Sequence, residues 1–95
     1  MIRVSVETKG ISVTGHASDY HKPGGNVVCA AVSALTCNLI NCLRVLSEDT
    51  VKVNMASGNV SISWEKLSDK GKLLVDSWYQ GILAIEQEYK CITIC

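Results

Sequence analysis

Two side chains able to do covalent chemistry lie close together near the N-terminus: His16 in Gly15-His16-Ala17, and Cys29 in Val27-Val28-Cys29-Ala30-Ala31-Val32-Ser33. A cysteine attacks as its thiolate, and an ordinary thiol, with a pKa of about 8.5, is mostly protonated near neutral pH. Something must therefore favour the anion. The apolar run that begins at Val27 reads as a helix, and Asn26 stands where an N-cap belongs, its side-chain oxygen able to accept from the amides of Val28 or Cys29. Cys29 would then be the third helical residue, where unsatisfied amides and the positive end of the helix dipole favour negative charge. An imidazolium from His16 would add to this, and the same ring can later protonate a leaving amine. Amides at the helix start can also hold the oxyanion of a tetrahedral intermediate.

Taken alone, these residues leave two readings open. Cys29 is a nucleophile paired with His16, or it is a small core residue and His16 a surface residue at a strand end. Ser33, one turn after Cys29, either bonds toward it and the loop or back to the carbonyl of Cys29. His16, Asp19, His21 and Cys29 include enough donors for zinc, but their spacing matches no standard ligand pattern, and no metal or other cofactor is expected. Cys91 and Cys95 read as terminal core packing rather than a redox pair. Trp64 and Trp78 read as core, because no basic cluster interleaves with them to make a nucleic-acid stacking surface.

The elements that must position the pair follow from periodicity. Ile2, Val4 and Val6 alternate with polar residues, and after Thr8-Lys9-Gly10 the period resumes at Ile11 and Val13, a first hairpin. From Gly15 to Gly25 the pattern vanishes into the composition of an exposed loop, with Gly24-Gly25 a natural hinge for admitting a substrate. A helix from Asn26 to about Leu46 carries a stripe of Val28, Ala31, Val32, Leu35, Leu39, Cys42 and Leu46. Cys29, Ser33, Thr36 and Ile40 line a neighbouring stripe, which places Cys29 off the main buried face. Val51, Val53 and Met55, the turn Ser57-Gly58-Asn59, then Val60, Ile62 and Trp64 form a second hairpin. Ser68 caps a second helix whose apolar face is Leu67, Gly71, Leu74, Trp78, Ile82, Ile85 and Tyr89. Cys91 to Cys95 suits a short terminal strand. The expectation is one α+β domain over residues 1–95, a mostly antiparallel sheet packed with two helices in the order β-β-α-β-β-α, with a possible short C-terminal strand.

Composition narrows the class of function. The chain has 95 residues, of which 47% are hydrophobic, without Phe and with one Pro. So apolar a small chain has surface left to hide, which favours a homodimer. Nine basic and nine acidic residues cancel and are scattered, which leaves no electrostatic footprint for nucleic acid. Polar residues interrupt the apolar stretch after Val27, so it reads as a buried helix rather than a membrane span. The opening strand pattern lacks the features of a signal peptide, and a cytoplasmic location is expected. Five cysteines without a CxxC spacing are then free thiols, four of them small core or edge residues.

Gly15-His16-Ala17, a glycine-rich loop, and Val28-Cys29-Ala30-Ala31-Val32-Ser33 together resemble the ribosomal-processing cysteine protease (Prp) family. The likeness continues through the second hairpin into Ile85-Glu86-Gln87-Glu88-Tyr89 and so covers essentially the whole chain. It implies a cysteine endopeptidase with His16 and Cys29 as the catalytic pair. The implied substrate is the precursor of the large-subunit ribosomal protein number twenty-seven, whose short N-terminal extension these enzymes remove. It also implies a homodimer and a loop between the motifs that moves to admit substrate, and Ser33 matches the family's serine. One position departs: the family commonly has Asp three residues before the cysteine, where this chain has Asn26, and Asp19 is the candidate to orient the histidine instead. The competing reading is a non-catalytic dimeric module that binds the ribosome or a ribosomal protein, with Cys29 a packing residue.

Overall fold

The computed structural model describes residues 1–15 and 25–95. Seven elements follow in order: β1 (Ile2–Glu7), β2 (Gly10–Thr14), α1 (Gly25–Val45), β3 (Lys52–Ala56), β4 (Asn59–Ser63), α2 (Asp69–Tyr89) and β5 (Ile92–Ile94). The α+β architecture expected from the sequence is present, terminal strand included. The strands form one sheet in the order β3-β4-β2-β1-β5. Every pairing is antiparallel except β1 with β5, which run parallel with Ile2 opposite Ile92 and Val4 opposite Ile94.

Period-two alternation explains why the sheet has one dry face and one wet one. Ile2, Val4, Ile11, Val13, Ile62 and Ile92 are buried, while their neighbours Arg3, Ser5, Ser12, Ser61 and Thr93 are exposed or half-exposed. The dry face packs with both helices in one continuous core. Val6 and Met55, expected on the buried face by the same alternation, are 41% and 60% exposed.

The helix α1 is buried over a different arc than its hydropathy predicts. Leu43 and Ile40 are buried along with Val28, Val32 and Leu39, whereas Leu46, expected in the core, is 61% exposed beyond the end of the helix. Thr36 is buried although polar, and its hydroxyl is fully used. It donates to the Val32 carbonyl at 2.8 Å and accepts from the indole Nε1 of Trp78 at 3.1 Å. Beside this link the two helices approach closely, since a Cβ on Gly81 would sit 2.9 Å from Leu35 Cδ1. By length and composition Val27–Val45 could cross a membrane, with a mean hydropathy of 1.6. Val28, Val32, Leu39, Ile40 and Leu43 of this stretch are nevertheless buried in the core, while Val27 and Val45 are exposed along with Ser33, Asn38, Asn41 and Arg44.

A polar clasp starts α2. Ser68 caps it by accepting from the Gly71 amide at 3.0 Å, as predicted. Asp49, on the connection out of α1, accepts from the Ser68 amide at 3.0 Å and from its hydroxyl at 2.8 Å. Gly71 is required here, because a Cβ would collide with the Asp49 carboxylate and press on Leu67. At the other end Lys90, in the left-handed region at φ 57, returns its amide to the Glu86 carbonyl and turns the chain toward β5.

Candidate active site

The strand directions bring one end of the sheet together as a platform. β1 starts there, β2 ends there, and β5 starts there because it runs parallel to β1. The Ile2 amide donates to the Cys91 carbonyl at 3.1 Å, and the Gly15 amide donates to the Gly58 carbonyl at 2.9 Å. Gly15 has φ 88 and packs on the Met1 carbonyl so closely that a Cβ there would collide with it. That glycine is therefore a steric necessity of the strand exit that immediately precedes His16.

The helix register places Cys29 at the same end. Thr36 of α1 meets Trp78 of α2, and the two helices run antiparallel. Two turns toward the start of α1 lie on the same face as Thr36 and reach Cys29; two turns toward the end of α2 reach Ile85. Both are partly buried and packed against the core. The next residue, Glu86, accepts from the Ile92 amide at 2.8 Å, which ties the last turn of α2 to the segment containing Cys91. Cys91 is buried at 2% exposure. Burial chiefly, then the Glu86 carboxylate and Cys29, push its thiol above the usual range, while the amino terminus of Met1 acts the other way. Cys91 thus lies within electrostatic range of Cys29, Glu86 and the amino terminus.

Helix α1 begins at Gly25, so Asn26 lies within its first turn and not ahead of it. Cys29 consequently stands a full turn inside, its amide placed to bond to the Gly25 carbonyl. The amides that precede the first intrahelical bond are those of residues 25–27. The dipole effect expected for a cysteine at the third helical position is correspondingly weaker, since it fades over the first turn. Cys29 is half-buried, as expected for a residue off the main stripe, but Thr36 and Ile40 on that supposed outer stripe are buried, and only Ser33 among its members is exposed. Gly25 is the first helical residue, while His16, Asp19, His21 and Gly24 lie outside the described residues. Of the remaining cysteines, Cys42 is half-buried, and Cys37 and Cys95 are exposed rather than packed in the core.

A groove of about 690 Å³ lies at the opposite end of the sheet. It is lined by Lys9, Asp49, Lys52, Trp64, Glu65 and Ser68 among others, and Cys29 does not border it. Sequence reasoning missed Cys91, because only the helix register and a parallel strand bring it to this end of the sheet.

The described residues form a two-helix, five-stranded α+β domain with a cysteine one turn inside its first helix. The chain matches the family model for cysteine protease Prp over residues 1–93, and it belongs to that family. It is accordingly a protease, a hydrolase of the cysteine type. The fold is shared with the S. aureus ribosomal processing protease Prp in complex with a covalently linked product peptide, at a TM-score of 0.81 and 24% identity, covering 98% of this chain and 94% of that one. The same S. aureus protease with a substrate peptide gives 0.78 and 19%, covering 99% and 95%. SMU.848 from Streptococcus mutans gives 0.77 and 28%, covering 98% and 89%. No curated protein matches the chain.

Proposed function

We propose that this chain is a cysteine endopeptidase that uses Cys29 as nucleophile and His16 as its acid-base partner. Its substrate is the precursor of the large-subunit ribosomal protein number twenty-seven, from which it removes the N-terminal extension in support of ribosome assembly. The observation that carries the reading is the family match across nearly the whole chain, with Cys29 at the start of α1 and the residue before His16 at the adjacent strand exit. The S. aureus relative binds a substrate peptide and a covalently linked product peptide, which fits a peptide substrate and a covalent intermediate here.

In the chemistry proposed, the Cys29 sulfur attacks the scissile carbonyl carbon and forms a tetrahedral oxyanion. Amides of the first helical turn, residues 25–27, are the donors available to that oxyanion. The imidazolium of His16 gives its proton to the leaving amine, and the thioester left on Cys29 is then hydrolysed by water that His16 deprotonates. Ser33, on the exposed flank of α1, and Asn26 and Asp19 are supporting residues for the loop and the ring, with Gly24 and Gly25 at the hinge. No cofactor or nucleic acid takes part. We take the working enzyme to be a cytoplasmic homodimer, in keeping with exposed Val45, Leu46 and Leu73, at 72%, 61% and 70%.

The deciding experiment incubates purified protein with the extended ribosomal protein and reads the product by mass. Cys29→Ala should abolish cleavage with the fold intact, and Cys37→Ala should leave it unchanged. Equal activity in Cys29→Ala would sink the proposal.

A further inference from the structure

We propose that Cys29 and Cys91 form a reversible disulfide under hydroperoxide, and that this bond switches the protease off. The consequence for activity rests on Cys29 being the nucleophile; the bond itself rests on the fold. The Thr36 to Trp78 hydrogen bond sets the helix register that puts Cys29 level with Ile85. The Glu86 to Ile92 hydrogen bond then brings Cys91 back to that same level. The two cysteines are far apart in sequence, Cys91 buried in the core and Cys29 at the margin of that core, and Cys91 lies within electrostatic range of Cys29.

Their environments assign different parts in the reaction. Cys29 is half-exposed and meets the oxidant, whereas Cys91 is shielded by burial. Burial, Glu86 and Cys29 also hold Cys91 in its protonated form, so it is not itself a target for peroxide. In the first step the Cys29 thiolate attacks one peroxide oxygen. The oxygen–oxygen bond breaks, the leaving oxygen departs as water or alcohol after taking a proton, and Cys29 becomes a sulfenic acid. In the second step the Cys91 sulfur attacks the Cys29 sulfur, its proton leaves with the hydroxyl as water, and the disulfide forms. Two thiols and one hydroperoxide give one disulfide, one water and one alcohol or second water. A dithiol reductant reverses it. Because Cys91 is a protonated thiol, the second step is slow. Excess peroxide should therefore outrun it and carry Cys29 on to the sulfinic acid, which a dithiol does not restore.

The test treats the full chain with equimolar hydrogen peroxide and maps the cysteines by non-reducing peptide mass analysis. The expected result is a linked peptide pair containing Cys29 and Cys91. Cleavage should fall in proportion to the linked fraction and return fully with dithiothreitol. In Cys91→Ser the same treatment should give no linked pair but Cys29 sulfenic acid and, where a second peroxide reacts, sulfinic acid, and that second share of the loss is one that dithiothreitol does not reverse. Linkage of Cys29 to Cys37 or Cys95, the same Cys29 products in wild type and Cys91→Ser, or full activity in the linked form each overturns the proposal. The mapping in wild type stands even if Cys91→Ser does not fold. A reduced protein that fails to cleave the extended substrate overturns the proposed function instead, and the mapping still decides the bond.

Discussion

At the residue scale, a half-buried thiol has less access to solvent than the exposed thiols of Cys37 and Cys95. Accessibility alone therefore ranks Cys29 behind them in alkylation, and only a stabilised thiolate reverses that order. With limiting iodoacetamide at neutral pH, Cys29 should be modified before Cys37 and Cys95, read by peptide mass; slower labelling of Cys29 would favour a packing role. The partner is separable from its loop neighbour in the same way. His16→Ala should lower kcat by about 10²- to 10⁴-fold, the usual contribution of a positioned acid-base group, while His21→Ala should change it little. These two proposed roles rest on Gly15-His16-Ala17 and Val28-Cys29-Ala30, because a candidate nucleophile and its base are marked by residue type. Cys91 was not legible in this way, since nothing local connects a residue after the second helix to the first turn of the first. Its place depends on β5 pairing with β1 across the length of the chain.

At the scale of elements, hairpins and caps were readable and helix faces less so. Ser68 was legible as a cap because the interaction is local, Ser68 to Gly71. Asp49 was not, because it reaches Ser68 from a different connection. The arc of α1 was misjudged at Thr36 for a related reason: its hydroxyl is tolerated in the core only because Trp78, on the other helix, donates to it. Asn26 shows the opposite error. A residue type that caps well, expected as the N-cap, lies inside the first turn of a helix that begins at Gly25. The clasp at α2 yields a measurable consequence. The nearby Ser47 hydroxyl, then hydrogen bonds from the amide and hydroxyl of Ser68, hold the Asp49 carboxyl below the usual aspartate range, against the opposing pull of burial. A group whose folded pKa is depressed adds stability that is present above its unfolded value, about 3.9, and is lost as pH falls through the folded value. Chemical denaturation from pH 7 downward should show wild type losing stability in that acid window. Asp49→Asn should be less stable at pH 7, and its difference from wild type should shrink toward pH 3. Ser68→Ala should cost about 1 kcal/mol at neutral pH, and a difference from wild type within error would remove the cap from the account.

At the scale of the whole molecule, one core holds every element, so the site cannot be tuned independently of the fold. The position of Cys29 depends on α1 lying at one register against α2, and that register rests on the Thr36 to Trp78 bond and the close approach of Leu35 to Gly81. Trp78 supplies both a polar link and a large buried volume, at 4% exposure, and substitution can separate them. Trp78→Phe keeps most of the volume and removes the indole N–H, while Thr36 still donates to Val32, so no buried group is orphaned. The expected cost is about 1 kcal/mol, that of one hydrogen bond, which is roughly 4–8 °C in Tm for a domain of this size. Trp78→Ala leaves a cavity between the helices and should cost about 3–5 kcal/mol, a large share of the roughly 5–15 kcal/mol that holds a small domain together. If the register is what positions the thiol, Trp78→Phe should also lower kcat measured well below its Tm, where the protein is fully folded. Thermal unfolding and single-turnover cleavage on the same sample separate the two effects. A Trp78→Phe protein that melts earlier yet cleaves at the wild-type rate would show that the core supports Cys29 without setting its reach.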